Sequence, residues 1–436
     1  MSRAKNFARL PGFRDFPPEE LVLRSHLFDA WRRVSRRYGF LEYDGPPLEE
    51  LDLYTQKSGE EIVGQLYNFT DKGGREVSLR PEMTPSLARI LGERSRAMPK
   101  PIRWFSIPQL FRYERQQRGR LREHFQWNVD LVGGPGVEAD AEVLAVALDS
   151  LRALGLSSDD IRARISDRRL LSALLRECGV PSDSLDATYP VVDKVERESE
   201  ERIRERLSGE VGLPPEVVDR VITLFQAPSL AAVADAFAHR EEVAGPLAEV
   251  QEFIQILDDL GLADFVEFDL TIVRGLAYYT GIVFEVFDRQ GEHRAICGGG
   301  RYDSLLELVG GEPLPAVGFG MGDVVLSDLL IERGLAPEYR RQVDYFLVVI
   351  GEEQAGLARR LATSLRRSGH SALYGIRGQS VRKQFSAAAN EGARQVIVLG
   401  PDEVSRGKAV LRDMVSGDEE EVTLQSLMGR DGAGEE

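Results

Sequence analysis

The chain has 436 residues, 42% of them hydrophobic and 29% charged, and a formal net charge of −16. This is enough for two or three domains with sizeable cores and fits a soluble globular protein. The two cysteines, Cys178 and Cys297, exclude a disulfide framework or a zinc site of their own, and no apolar run approaches the ~20 residues that cross a bilayer.

The N-terminus, MSRAKNFARLPGFRDFPPEE, lacks the hydrophobic core of a signal peptide, so a cytoplasmic location without membrane contact is expected. The five histidines include no close metal-ligand pair, and no transition metal is expected. The acidity lowers the expectation of nucleic-acid binding, but binding uses a patch and net charge describes the whole surface.

From Pro18 to Arg37, Leu21, Leu23, Leu27, Phe28, Trp31 and Val34 recur at mostly helical spacing. Phe40–Tyr43 reads as a strand closed by Gly45-Pro46-Pro47. Gln65–Phe69 and Val77–Arg80 read as a hairpin around Asp71–Gly74. Prolines then pin the turn Arg80-Pro81-Glu82-Met83-Thr84-Pro85, which can aim Glu82 and Thr84 into a cleft, and a helix is expected from Ser86.

Phe111 to Asp130, FRYERQQRGRLREHFQWNVD, is the most informative stretch. It reads as strand, arginine-rich loop around Gly119, and strand with alternate polar side chains facing a pocket. Arg112, Arg115, Arg118, Arg120 and Arg122 can hold a polyphosphate, since guanidinium forks match phosphate oxygens. A solvated basic hairpin is the other reading.

A helix is expected from Asp140 to about Leu154, and residues near 168 to 255 read as an inserted helical module. Phe265 to Phe287 returns to strand-like alternation, and VRGLAYYTG lies within it. CGGGRYD from Cys297 and GFGMGD from Gly318 follow, each beside a β-prone run. Beyond Pro337 the chain reads as a small α/β domain. Its strands are Tyr345–Ile350, Ala372–Tyr374 and Gln395–Leu399; its helices run from Glu352 to about Ser368 and from Val381 to Asn390. Residues 429–436 read as a disordered tail.

From GFRDFPPEE to the C-terminal domain, these segments resemble the class II aminoacyl-tRNA synthetases and, within them, the histidyl-tRNA synthetase family. The arginine hairpin is similar to the second class II motif. The helix–strand–proline unit after Pro18 is similar to the first, which builds a homodimer interface. RGLAYYTG resembles the segment peculiar to the histidine enzymes, usually written with Asp where this chain has Ala277.

The resemblance implies an α+β fold: an antiparallel sheet with flanking helices and a helical insertion over 1–335, then an α/β anticodon-binding domain over 343–428. It implies ATP and Mg²⁺, L-histidine and histidine tRNA as ligands. Arg112 and Arg274 would be catalytic, meeting the α-phosphate from opposite sides. Glu114 would meet the adenine and Arg120 the γ-phosphate. Glu82, Thr84 and Gln126 would hold the amino acid's ammonium; Asp130 and Tyr279 would hold the imidazole, with Tyr278 closing the pocket. Arg115, Gln117 and Arg118 would meet the tRNA acceptor end.

Other departures accompany Ala277. Asp130 stands where most members carry Glu, Gln116 replaces a proline, and Val325 stands where the third motif carries an arginine: either the register is off, another arginine such as Arg120 or Arg301 compensates, or adenylation is impaired. The alternatives are a non-catalytic regulatory subunit of ATP phosphoribosyltransferase in histidine biosynthesis, and a class II enzyme for another amino acid. The C-terminal domain and the retained site residues argue against the former, RGLAYYTG against the latter.

Overall fold

Helix α1 (Pro18–Arg37) opens on a proline, tolerated in a first turn whose N–H groups have no intrahelical partner. Glu19 and Glu20 at its start and Arg36 and Arg37 at its end complement the helix dipole. Leu27, Trp31 and Val34 form its buried stripe. The computed structural model describes residues 7–428 except 59, 116, 227–228, 274–278, 292, 305–306, 308–312 and 377. The chain divides into two units, Met1–Pro337 and Glu338–Glu436.

In the first unit, β1 (Leu41–Glu42) is followed by β2 (Leu48–Glu50), β3 (Asn68–Thr70) and β4 (Glu76–Leu79), the last three forming a small antiparallel sheet in the order β2-β4-β3. Helix α2 (Asp52–Ser58) lies between β2 and β3, and α3 (Thr84–Arg94) carries Thr84 in its first turn. Strands β5 (Ile102–Ser106), β6 (Gln109–Phe111), β7 (Glu123–Val132), β8 (Ile161–Asp167), β9 (Val266–Phe268), β10 (Ile282–Asp288), β11 (Cys297–Arg301) and β12 (Ala316–Gly322) build the main sheet with β1. Its order is β1-β5-β7-β12-β11-β10-β8-β9, with β6 paired to β7. Only β1–β5 and β8–β9 are parallel.

The span 265–287 is less continuous than its alternation suggests. The Asp269 side chain accepts from the Thr271 amide and hydroxyl, a local turn that competes with strand pairing and ends β9.

Helix α4 (Val137–Ala153) is buried along most of its length against the sheet. Between β8 and β9 the chain forms α5 (Arg168–Glu177), α6 (Leu185–Val192), α7 (Glu200–Gly209), α8 (Pro215–Phe225), α9 (Leu230–Phe237) and α10 (Glu241–Asp259), and α10 packs on α4 and α5. Helix α11 (Asp323–Glu332) follows β12 directly.

Beneath the sheet, Trp31 of α1 stacks on Trp127 of β7 at 5.8 Å between ring centroids, and Trp127 meets Phe319 of β12 edge-on at 5.0 Å. Aromatic pairs of this geometry add about 0.5–1.5 kcal/mol beyond area burial. Thus α1, β7 and β12 lock into one layer.

The second unit has β13 (Val343–Val349), α12 (Ala355–Arg367), β14 (Ala372–Tyr374), α13 (Val381–Asn390), β15 (Ala393–Leu399), β16 (Lys408–Asp413) and β17 (Glu419–Thr423). Its sheet runs β14-β13-β15-β16-β17, parallel across the first three. Separate apolar clusters centred on Leu347 and Val348 sit on its two faces.

Candidate active site

Strand β7 sends Phe125, Trp127, Val129 and Leu131 toward the core and His124, Gln126, Asn128 and Asp130 the other way, the period of two expected of a strand. The register lays Asp130 opposite Gly318 and Asn128 opposite Gly320 of β12, and these glycines face Gly300 and Gly298 of β11. A Cβ at Gly318 would collide with the Asp130 carboxylate, and one at Gly320 would come within 2.8 Å of the Gln126 amide. Glycine is required because the polar side chains of β7 lie across the neighbouring strand. Gly318 and Gly320 therefore make room for protein side chains, whereas a Cβ on Gly299 or Gly300 would first meet a backbone oxygen, of Gly318 or Ile282.

Above this surface opens a cleft of about 1120 Å³. Arg112, Glu114, Arg120, His124 and Gln126 line it, as do Thr271, Ile272 and Val273. Arg112 and Glu114 lie just beyond β6, held by bonds from the Arg112 amide to Arg122 O (2.9 Å) and from Arg112 Nε to Pro81 O (3.0 Å). The second bond ties the turn carrying Glu82 and Thr84 to the root of the hairpin. Gly119, at φ 72°, turns the loop at a conformation costly for other residues. The amides of Gln117 and Arg120 bond each other's carbonyls across the tip.

Arg120 Nη1 sits 2.7 Å from Glu114 Oε2, an ion pair without hydrogen-bond alignment. Burial and the nearby Arg294 and Arg112 lower the Arg120 pKa against the pull of Glu114. His124 stands beside these charges. Burial first, then Arg112, Arg14 and Arg120, pushes its pKa down from 6.5 to about 3. The histidine is neutral when folded, while the unfolded chain takes up a proton below 6.5. Its stabilisation is therefore complete above that pH and is lost as pH falls toward 3. In His124→Asn the slope of unfolding free energy between these limits should be shallower by roughly one proton, measured by urea titrations at several pH values.

Asp130 and Tyr279 lie in a second group beside the cleft, about 13 Å along β7 from Gln126. The Tyr302 hydroxyl donates to Asp130 Oδ1, and the Tyr279 ring lies 6.4 Å from that of Tyr302. All three are buried. Sequence reasoning assigned Tyr302 no role, although it lies two residues past the glycine run. Glu82 and Thr84 are half-buried, Arg115, Gln117 and Arg118 are exposed, and Arg274 and Tyr278 lie outside the described residues.

Arg301 does not substitute for the charge missing at Val325. It is buried and bonded to Asp140 of α4 at 2.8 Å, to Gly136 O at 2.7 Å and to Asp303 at 3.2 Å. Its charge is committed to joining β11 to α4. Arg14 has a similar duty, meeting Glu123 of β7 at 2.7 Å and Asp323 of α11 at 2.9 Å, both nearly inaccessible. Burial raises the Asp323 pKa and Arg14 opposes it. Arg14→Ala would strand two buried carboxylates and should cost about 3–5 kcal/mol. All three tryptophans, Trp31, Trp104 and Trp127, lie in the first unit, so their fluorescence during urea unfolding reads this loss there.

An antiparallel hairpin that presents arginines over a sheet, instead of a glycine-rich loop after a parallel strand, is the class II aminoacyl-tRNA synthetase arrangement. The first unit has that fold. The histidyl-tRNA synthetase family model matches residues 12–323, and an anticodon binding domain model matches 344–430. The chain belongs to the histidyl-tRNA synthetase family. It is 43% identical to a histidine–tRNA ligase of Opitutus terrae over 97% of each chain. It is 39% identical to the chloroplastic/mitochondrial histidine–tRNA ligase of Arabidopsis thaliana, over 95% of this chain and 85% of that one. The crystal structure of histidyl-tRNA synthetase from a Nostoc species shares the fold, with a TM-score of 0.81 at 24% identity, covering 98% of this chain and 100% of that one.

Proposed function

We propose that the chain is a histidine–tRNA ligase. L-Histidine's carboxylate attacks the α-phosphorus of ATP, pyrophosphate leaves, and the histidyl group passes from the adenylate to the 3′ end of histidine tRNA. The observation that carries this is the convergence of Arg112, Arg120 and Glu114 on one cleft beside the Asp130–Tyr302–Tyr279 group, in a chain of this family.

Attack by one anion on another needs fixed cations where phosphoryl charge develops. Arg112 takes the α-phosphate and orients the attacking carboxylate; Arg274 meets the same phosphate from the opposite flank. Arg120 takes the γ-phosphate, and Glu114 accepts from the adenine amino group. The loosely aligned Arg120–Glu114 pair supports this, because both can turn to ligand with little loss. Glu82, Thr84 and Gln126 hold the ammonium group. Asp130 and Tyr279 hold the imidazole, and Tyr278 covers it. Arg115, Gln117 and Arg118 receive the acceptor end.

Among the described residues no group of three or more His, Cys, Asp or Glu is placed to hold a metal. Mg²⁺ fits nonetheless, since it keeps water and phosphate ligands and needs only one or two carboxylates; Glu285 of β10 lines the cleft and offers one. When bound, Mg²⁺ would neutralise charge on the departing pyrophosphate.

We also propose a cytoplasmic homodimer. No described helix is long and apolar enough to cross a membrane, and β1 is a sheet edge with Leu41 67% exposed. The dimer reading rests on the likeness of the helix–strand–proline unit after Pro18 to the first class II motif, with Leu41 as an exposed apolar side chain on it. The catalytic domain is assigned to 1–335 and the anticodon-binding domain to 343–428; the tail from 429 lies outside the described residues.

The test is pyrophosphate exchange measured with each standard amino acid. Exchange should depend on histidine; absence of exchange with histidine would instead favour a non-catalytic subunit.

A further inference from the structure

Helix α11 leaves the sheet at Gly322 and turns an uncharged side, Val324 and Val325, to the cleft. Val325 Cγ2 lies 3.1 Å from where a Cβ on Gly119 would be, so α11 meets the tip of the arginine loop through an apolar contact. Its first turn provides no cation. On another flank of the same glycine is Arg294, from the connection between β10 and β11, its Cδ 3.9 Å from the notional Cβ. Arg294 Nη2 donates to Gln117 Oε1 at 2.9 Å, and the residue lines the cleft with Arg112 and Arg120.

From this geometry we infer that Arg294 is a further polyphosphate-binding arginine beside Arg112, Arg120 and Arg274, supplying from the β10–β11 connection the positive charge that α11 lacks, and contacting the terminal phosphates of a nucleoside triphosphate. The assignment rests on the adenylating function proposed above.

Among the described residues, no carboxylate is in salt-bridge contact with Arg294; its partner is a neutral amide. Arg301 and Arg14, by contrast, are bound to buried carboxylates. Arg294 also repels Arg120. A cation kept near like charge and held by a neutral acceptor is poised for an anion. A triphosphate offsets the repulsion and gives the guanidinium fork two oxygens to grip. Gln117 can release it, because an exposed amide bonds water equally well. Contact through Gln117 and Gly119 also makes nucleotide binding order the loop assigned to the tRNA acceptor end.

The test uses the full chain and two readouts. Arg294→Ala should lower kcat/KM for ATP in histidine-dependent exchange by about 10²-fold, the loss typical of one removed transition-state donor. KM for histidine should stay within about twofold. Arg294→Lys should recover only part of the loss, because an ammonium keeps the charge without the fork. Calorimetric titration with ATP, which needs no catalysis, should show weaker binding by Arg294→Ala at an unchanged thermal midpoint. Wild-type ATP binding and kcat/KM in Arg294→Ala would overturn the assignment, as would equal losses for ATP and histidine. A wild-type chain that binds ATP through Arg294 yet exchanges with no amino acid would overturn the ligase reading and leave Arg294 standing.

Discussion

Arg112→Ala is expected to reduce histidine-dependent pyrophosphate exchange by 10³-fold or more while leaving the fold intact. An arginine that stabilises a phosphoryl-transfer transition state is worth about 10³–10⁵ in rate, and Arg112 occupies the root of the hairpin, at the cleft wall. Its side chain is half-buried and donates to a backbone carbonyl, Pro81 O. Removing it strands no buried carboxylate, and water can satisfy the carbonyl. The thermal midpoint should therefore move by only a few degrees, in contrast to Arg14→Ala, where stability falls first. Measuring exchange and melting on both variants separates the roles. Wild-type exchange in Arg112→Ala would remove it from the chemistry, and loss of exchange only in step with unfolding would make it structural.

The same contrast shows what could be read from the chain alone. Arg14, Arg112, Arg294 and Arg301 are chemically identical, and their local patterns differ little. Their duties are set by partners far away in sequence: Asp323 for Arg14, Asp140 for Arg301, Gln117 for Arg294. No periodicity records those pairings. Features with a local cause were legible. Helix α1 has its proline start, its charged ends and its apolar stripe within twenty residues. The alternation of Gln126, Asn128 and Asp130 against Trp127 and Val129 marks the polar face of β7 by itself.

Strand β17 shows the opposite case. Glu419, Glu420 and Glu421 are a run of a residue type poor in strands, yet they form an edge strand on β16. Glu421 reaches Lys408 at 2.7 Å and Arg406 at 2.9 Å, and Glu419 reaches Arg412 at 2.9 Å. Strand formation there depends on cross-strand partners more than on intrinsic preference. What the glycines make room for is likewise set by distant residues: Gly318 yields to Asp130 and Tyr302, and Gly300 to the Ile282 carbonyl and the side chains of Val283 and Tyr279.

Removing the chain beyond Arg341 should impair tRNA charging far more than adenylate formation. The cleft is built wholly from the first unit, whose apolar clusters include no residue of the second. The second unit has its own two clusters about a separate sheet. Exchange should therefore persist within a few-fold of wild type. A long RNA held at two places gains from the linkage between them, and losing one contact forfeits about 10²–10⁴ in apparent affinity. On the second unit, Arg359, Arg360 and Arg367 of α12 line a shallow groove of about 360 Å³ with Thr363 and Ser364. A basic groove on a chain of net charge −16 suits a phosphate backbone, and its contribution should weaken as salt rises. Charging by the full chain should thus lose efficiency steeply between about 50 and 200 mM salt, while the truncated chain, already inefficient, shows a flatter response. Equal losses of exchange and charging on truncation would make the second unit a structural support of the first, and equal salt slopes would place the RNA contacts elsewhere.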